Sequence, residues 1–330
     1  MGGGLIYSIT FMKKKQRSEA DRFKGPGKWC GYLLVRGLAG LIQRLPLSVA
    51  FRLGRGVGWL GWKLLKRRRA IVRKNLNIVN AWMEESGKVE RGKVESLDEQ
   101  VREVFQRSGA NLLAGFPLSR LRPEEMEAHL EIEGMEHAQS ALSKGKGAIV
   151  LLAHMGPWEA LAQLPGFASR HGIEAPFGAM YRPLNNTYLD DWFKRQREAS
   201  GTRLFSRRDG FHKPVDFIRG GGMLGILADQ KMREGVVVSY FGCEAKTSPI
   251  PGLFLRRSQA PLLAVSIETL APARWKIRVR KIELPEGLDY SKRTILAEQC
   301  NQALELSLAQ SVCDGFWLSS RFKKVDGVLL

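Results

Sequence analysis

Leu151-Leu152-Ala153-His154-Met155-Gly156-Pro157-Trp158-Glu159 reads as the end of a buried strand, a histidine at its exit, a chain break and the first turn of a helix. The apolar run Ala148 to Leu152 has the length and composition of a fully buried strand. Gly156-Pro157 then ends any regular element. The carboxyl edge of a sheet is where α/β proteins hold their ligands, and His154 stands at such an edge. In an unbroken helix, five steps of about 100° would set His154 and Glu159 roughly 140° apart. The break removes that obstacle and lets the carboxylate fold back on the imidazole. A carboxylate on one ring nitrogen fixes the tautomer and raises the basicity of the other, as a general base for a hydroxyl requires. From spacing alone an ordinary alternative stays open, a surface histidine followed by a first-turn helix charge.

Outward from this turn the same texture continues. Met223 to Ala228, Val236 to Phe241, Pro261 to Ile267 and Trp275 to Arg280 read as further strands, with helices near 157–171, 186–199, 211–219 and 291–310. The alternation predicts an α/β fold, a mixed sheet flanked by helices. Residues 81–330 make up this domain, with a charged helical connector over 84–110 at its start.

The first 80 residues differ. They carry a net charge of +16 out of +19 for the whole chain. Residues 1–28 read as a basic flexible tail, with Gly25-Pro26-Gly27 at its end. Residues 29–80 form an apolar-basic helical segment interrupted by Arg36, Arg44, Arg52 and Arg55, so no stretch reaches the roughly 18 uncharged residues of a clean membrane span. Interfacial helices with arginines snorkelling to lipid phosphates fit this pattern best, and one true span or a soluble cap stays open. The cluster Lys63, Lys66, Arg67, Arg68, Arg69, Arg73 and Lys74 then faces an anionic leaflet, the cytoplasmic one by the positive-inside bias. Trp29, Trp59 and Trp62 lie in apolar runs rather than on a solvent-facing platform, which argues against a nucleic-acid partner. The N-terminus lacks the order of a secretory signal, so the mature chain is expected to begin near Met1.

Several chemistries are excluded or weak. Cys30, Cys243, Cys300 and Cys313 show no metal-ligand spacing, and a reduced compartment follows. No HExxH and no GxSxG occurs, and no metal site is expected. Gly56-Val57-Gly58-Trp59-Leu60-Gly61 matches GxGxxG without a preceding strand, so Gly54, Gly58 and Gly61 read as a small-residue face for close helix packing at a membrane. His129, His137, His171 and His212 have no spaced partner. Tyr181-Arg182-Pro183-Leu184-Asn185-Asn186, followed by Arg195 and Arg197, concentrates guanidinium groups suited to phosphate. Arg195 and Arg197 point to different sides of one helix. Asp229-Gln230 ends a strand, where its carboxylate lies at a sheet edge or simply closes a turn.

In this order the segments resemble the bacterial lipid A late acyltransferases, the lauroyl and myristoyl transferases of the lysophospholipid acyltransferase superfamily. The likeness runs from about Trp29 to Lys323. It is carried by Arg73-Lys74-Asn75-Leu76, Glu133-Gly134-Met135-Glu136-His137, the His154/Glu159 block and Tyr181 to Asn186 with Arg195-Gln196-Arg197. Asp229-Gln230, the stretch from Gly235-Val236 through Tyr240-Phe241-Gly242 to Ala245 and Thr247, and Trp317-Leu318-Ser319-Ser320-Arg321-Phe322-Lys323 complete it. Ser319-Ser320 stands where the family usually has a His-Arg pair.

The resemblance implies a lysophospholipid acyltransferase-like fold and transfer of a fatty acyl chain from acyl carrier protein to a hydroxyl of a lipid A precursor. It places this at the cytoplasmic face of the inner membrane. By motif, His154 is the base, Glu159 its orienting partner, and Arg197 and Asp229 further catalytic positions. Arg182, Asn185, Asn186, Arg195, Gln230 and Arg321 are expected to contact substrate. No cofactor is implied, because the thioester supplies the activation. Two alternatives stay open: the same chemistry on a lysophospholipid, aminolipid or glycosylated phosphoinositide, and a non-enzymatic basic protein of the membrane surface.

Overall fold

In a computed structural model describing residues 23–87, 95–206 and 210–322, the strand that leads to His154 is the central one of a seven-stranded sheet. This strand, β2 (Ala148–Leu152), lies between β8 (Leu262–Ala271) and β5 (Met223–Leu227), and the full order is β1-β9-β8-β2-β5-β3-β4. The outer strands are β1 (Leu130–Glu133), β9 (Arg274–Ile282), β3 (Phe177–Tyr181) and β4 (Arg203–Ser206). Every pairing is parallel except the β8–β9 hairpin. The sheet is therefore mixed, as expected. After β2 the chain builds β3, β4 and β5 on one side and then returns to β8 on the other, so strand order reverses at β2. That reversal opens a crevice at the carboxyl ends of its neighbours.

One expected strand lies elsewhere. Val236–Tyr240 (β6) pairs only with Cys243–Thr247 (β7), in a separate two-stranded antiparallel sheet. Phe241, at φ 49°, and Gly242, at φ 71°, make its two-residue turn. Asn301 bonds the Ser239 carbonyl and the Thr247 hydroxyl from the last long helix, and Glu305 accepts from the Phe241 N–H at 2.6 Å.

Alternation along the strands gives the main sheet two distinct faces. Ile149, Leu151, Leu224, Leu262 and Ala264 point to one face and are buried. There they pack beneath Ile250–Ser258 and Arg293–Gln310, the latter carrying fully buried Leu304 and Ala297. Val150, Leu152, Gly225, Ala179, Leu263, Val265, Ile277 and Val279 point to the other face. Its cover is a 3-10 turn (Trp158–Gln163), the short helix Leu164–Ser169 and the helix Met135–Leu142.

The N-terminal part is helical: α1 (Pro26–Ile42), α2 (Leu47–Leu64), α3 (Lys66–Ser86) and α4 (Leu97–Leu118). Two of the three glycines expected to pack closely, Gly54 and Gly58 of α2, make the approach that their spacing suggests, whereas a Cβ on Gly61 would meet only side chains at 3.6 Å or more. A Cβ on Gly54 would lie 2.4 Å from the Gly109 carbonyl oxygen of α4, and one on Gly58 would lie 2.1 Å from that of Phe105. Only glycine permits this approach at Gly54 and Gly58; within the GxGxxG match Gly58 alone packs this closely, since a Cβ on Gly56 would meet nothing within 4 Å. Arg55 departs from the expected snorkelling. It forms a two-pronged pair with Glu103 at 2.8 and 2.9 Å. No described helix is long and apolar enough to cross a membrane. The basic tail before Phe23 and the closing Lys323 lie outside the described residues.

Candidate active site

The register of the sheet assembles the site. Leu152 of β2 pairs with Leu227 of β5, so two residues further along each strand stand His154 and Asp229, side by side at the crevice. His154 Nδ1 donates to Asp229 Oδ1 at 2.6 Å. Glu159 was expected in this role, and the structure gives it another. Gly156-Pro157 leads into a 3-10 turn, not a return toward the imidazole, and the Glu159 carboxylate receives Arg197 Nη2 at 2.8 and 3.0 Å and Nε at 3.2 Å. Arg197 reaches it from the helix Thr187–Glu198, with its guanidinium also over the Phe193 ring.

The two pairs differ electrostatically. Asp229 is 5% exposed, whereas Glu159 and Arg197 are partly exposed at the crevice. Burial by itself lowers the His154 pKa, but the hydrogen bond and charge of Asp229, with a smaller contribution from Glu159, more than offset it. The imidazole is therefore more basic than usual. With Nδ1–H held by the carboxylate, Nε2 carries the free lone pair. Trp158 meets the ring edge-on at 5.4 Å, and Phe316 lies 6.4 Å away. Sequence reading missed both aromatics, although Trp158 sits within the His154-to-Glu159 block.

The backbone of the turn is clamped from behind. His154 O accepts from Phe316 N at 2.9 Å, Met155 bridges Gly315, and Gly156 N donates to Asp314 O at 3.3 Å. The Asp314 side chain is fully buried and accepts from Arg107 at 2.7 Å, Asn111 at 3.1 Å and the Thr269 hydroxyl at 2.5 Å. Gly156 has φ 53°, and a Cβ there would lie 2.6 Å from Ile267 Cγ2. This position requires glycine.

From His154 a cavity of about 560 Å³ runs under the loosely covered face of the sheet, within the size range of small-molecule sites, about 300–1,000 Å³. Its walls are apolar, from Ile132, Met135 and Ala138 at one side to Phe177, Leu204 and Ile173 at the other. Polar lining gathers at the strand ends: His154, Glu159, Arg182, Arg197, Gln230 and Lys231. Arg182 and Lys231 form no ion pair with any described residue.

Other expected substrate contacts are placed differently. Asn185 and Arg195 are exposed and do not line the cavity. Asn186 caps the Thr187–Glu198 helix by accepting from Tyr188 N and Leu189 N, and it donates to Lys28 O at 2.8 Å. Its amide is thus committed to structure. Arg321 is 3% exposed, with its guanidinium on Lys246 O, the Thr247 hydroxyl and the Tyr240 ring. Burial pulls its pKa down, against the pull of Tyr240 and Asp229. It braces the β6–β7 hairpin. Cys300 and Cys313 have thiols pushed up to about 12 by burial, which leaves them protonated at neutral pH.

Residues 16–324 match the family described as bacterial lipid A biosynthesis acyltransferase. The chain belongs to this family. It is 24% identical to the lipid A biosynthesis lauroyltransferase of Escherichia coli (strain K12), over 92% of this chain and 94% of that protein. It is likewise 24% identical to the palmitoleoyltransferase of the same organism, over 91% and 93%. A lipid A biosynthesis acyltransferase of Haemophilus influenzae is 25% identical over 69% of this chain and 66% of its own length. Acyl transfer in lipid A biosynthesis is the chemistry of the family, and the crevice of this member is its candidate centre.

Proposed function

We propose that this family member transfers a fatty acyl chain from acyl carrier protein to a hydroxyl of a lipid A precursor at the cytoplasmic face of the inner membrane. The observation that carries the reading is the His154–Asp229 pair opening directly into a long apolar cavity. An acyl chain occupies the cavity with its thioester carbonyl at the crevice. His154 Nε2 takes the proton of the acceptor hydroxyl as that oxygen attacks the carbonyl carbon. The tetrahedral intermediate collapses, the carbon–sulfur bond breaks, and the imidazolium returns its proton to the departing thiolate. Asp229 holds the tautomer and stabilises the transient imidazolium, the part that a buried aspartate plays in other histidine-based sites. Glu159 acts through Arg197 to frame the mouth. Arg182 and Lys231 offer uncompensated charge to the phosphates of the acceptor.

The outer helices support action at a lipid surface. Trp29, Leu33, Leu34, Leu38 and Leu41 of α1 and Leu53, Val57, Trp59, Leu60 and Leu64 of α2 are exposed, Leu34 at 65% and Leu64 at 68%. Exposed Lys66, Arg67 and Arg68 follow directly. An apolar surface rimmed by cations suits an anionic leaflet, each charge adding about 1 kcal/mol near it. Acyl carrier protein, being acidic, is drawn to the same basic region.

The test offers the purified protein, in detergent micelles, radiolabelled acyl-acyl carrier protein with either a tetra-acylated lipid A precursor or a lysophospholipid. Label in the lipid A product is the expected result. Label only in the phospholipid would move the acceptor, and label in neither would refute the reading.

A further inference from the structure

The hydrogen bonding of Asp229 does not end at the imidazole. Its second oxygen, Oδ2, accepts from Gln230 Nε2 at 2.7 Å, and Gln230 Oε1 in turn accepts from Ser319 Oγ at 2.5 Å. A single chain therefore runs from Ser319 through Gln230 and Asp229 to His154. The first two links are polarised in the same sense, hydroxyl to amide oxygen and amide N–H to carboxylate, and the His154 N–H meets that carboxylate from the other side. The far end is fixed as well, because Ser319 O and Trp317 O both accept from buried Asn75 Nδ2 at 2.9 Å. Gln230 is only partly buried and lines the cavity. A residue so placed could have been a substrate contact, but both ends of its amide are already engaged.

We infer that Gln230 and Ser319 are positioning residues that lock the Asp229 carboxylate in the rotamer required by His154. This deepens, and rests on, the reading of His154 as the base. A carboxylate bound by the imidazole alone can swing about its Cβ–Cγ bond, whereas one held at both oxygens cannot. The Ser319 hydroxyl polarises the Gln230 amide and strengthens its N–H bond to the carboxylate. Partners that orient metal-bound histidines from behind cost about 10–100-fold when removed, and a loss of that order is expected for an orienting partner here. Ser319 is thus tied to the reaction centre from 165 positions downstream of His154, which gives the closing segment a part in catalysis as well as in folding.

The decisive variants are Gln230→Leu, which removes both links, and Ser319→Ala compared with Ser319→Thr, which removes or keeps the hydroxyl. Proton NMR of the full-length protein in detergent micelles reads the downfield Nδ1–H signal of His154, with His154→Ala for assignment. This readout needs no substrate, so it stands or falls separately from the acyl-transfer reading. The chain predicts that the signal broadens or moves upfield in Gln230→Leu and Ser319→Ala and is retained in Ser319→Thr. In the transfer assay kcat should fall about 10–100-fold in Gln230→Leu and less in Ser319→Ala, with KM within about twofold. A raised KM with unchanged kcat would make Gln230 a substrate contact and overturn the inference. An unaltered Nδ1–H signal in both variants would overturn it too, whatever the rates. Should Gln230→Leu fail to fold, the Ser319 pair decides alone.

Discussion

The two faces of the central sheet are made by alternate residues of the same strands, yet one is filled and the other hollow. Behind β2, the helices Ile250–Ser258 and Arg293–Gln310 close completely over Ile149, Leu151 and Leu224. In front, the cover is a 3-10 turn and two short helices, and the small residues Gly225 and Ala179 leave the floor low. A close-packed interior stabilises the fold, whereas a hollow one forgoes dispersion contacts. The hollow face is also the one that ends at His154. Stability and function are thereby divided between the two sides of one sheet, and substitutions should separate them.

The largest expected effect is at the reacting end of the front face. Asp229→Asn removes the charge that holds the imidazole, and kcat should fall by about 10⁴-fold, as for other buried histidine partners. The residual activity should also titrate differently. The base works in its neutral form, so wild-type kcat/KM rises as pH passes a His154 pKa lying above the ordinary imidazole value. In the variant the rise should shift to lower pH, because Asp229 is what raises that pKa; a pH–rate profile reads both changes.

On the filled face, Leu304→Ala should lower unfolding free energy by about 2–5 kcal/mol in a denaturant titration. The preference among acyl chains should be unchanged. An altered chain preference would show that the two faces are not independent.

The hollow face should respond in the opposite way. A Cβ on Gly225 would already approach Leu152 Cδ1 at 3.2 Å, inside the cavity. Gly225→Leu therefore shortens the space, and competition between long and short acyl donors should shift about 10–200-fold toward the short one. Equal losses for all chain lengths would place the acyl chain elsewhere.

The smallest effect belongs to the outer helices. Arg67→Ala should weaken binding to anionic vesicles by about 1 kcal/mol, close to fivefold in a sedimentation assay. Neutral vesicles should show no such loss.

Much of the fold was legible in the sequence, whereas the division between its two faces was not, and the limits have physical causes. β2, β5 and β8 announce themselves as apolar runs bounded by turns, and β9 as a strict alternation of apolar and basic residues over Trp275 to Arg280. β1, β3, β4 and β7 do not, being four or five residues long, with several half-exposed positions and the charged pattern Cys243-Glu244-Ala245-Lys246-Thr247 in one of them. His154, Glu159, Arg197 and Asp229 all stand at the crevice, but their pairing was misread. Glu159 is five residues from His154, whereas Asp229 is 75 away, and only the register of β2 on β5 makes it the neighbour. Composition likewise cannot tell that Arg55 meets Glu103 across a glycine seam rather than a lipid phosphate, since that contact depends on how closely α2 and α4 approach.

The most direct test of His154 as the general base is a single-turnover measurement in micelles. It follows acyl transfer from acyl-acyl carrier protein to the tetra-acylated lipid A precursor by wild type and by His154→Ala, with folding of both checked by circular dichroism. Rapid transfer by the wild type is expected, with none above background by the folded variant. Transfer by the folded His154→Ala protein at an undiminished rate would contradict it.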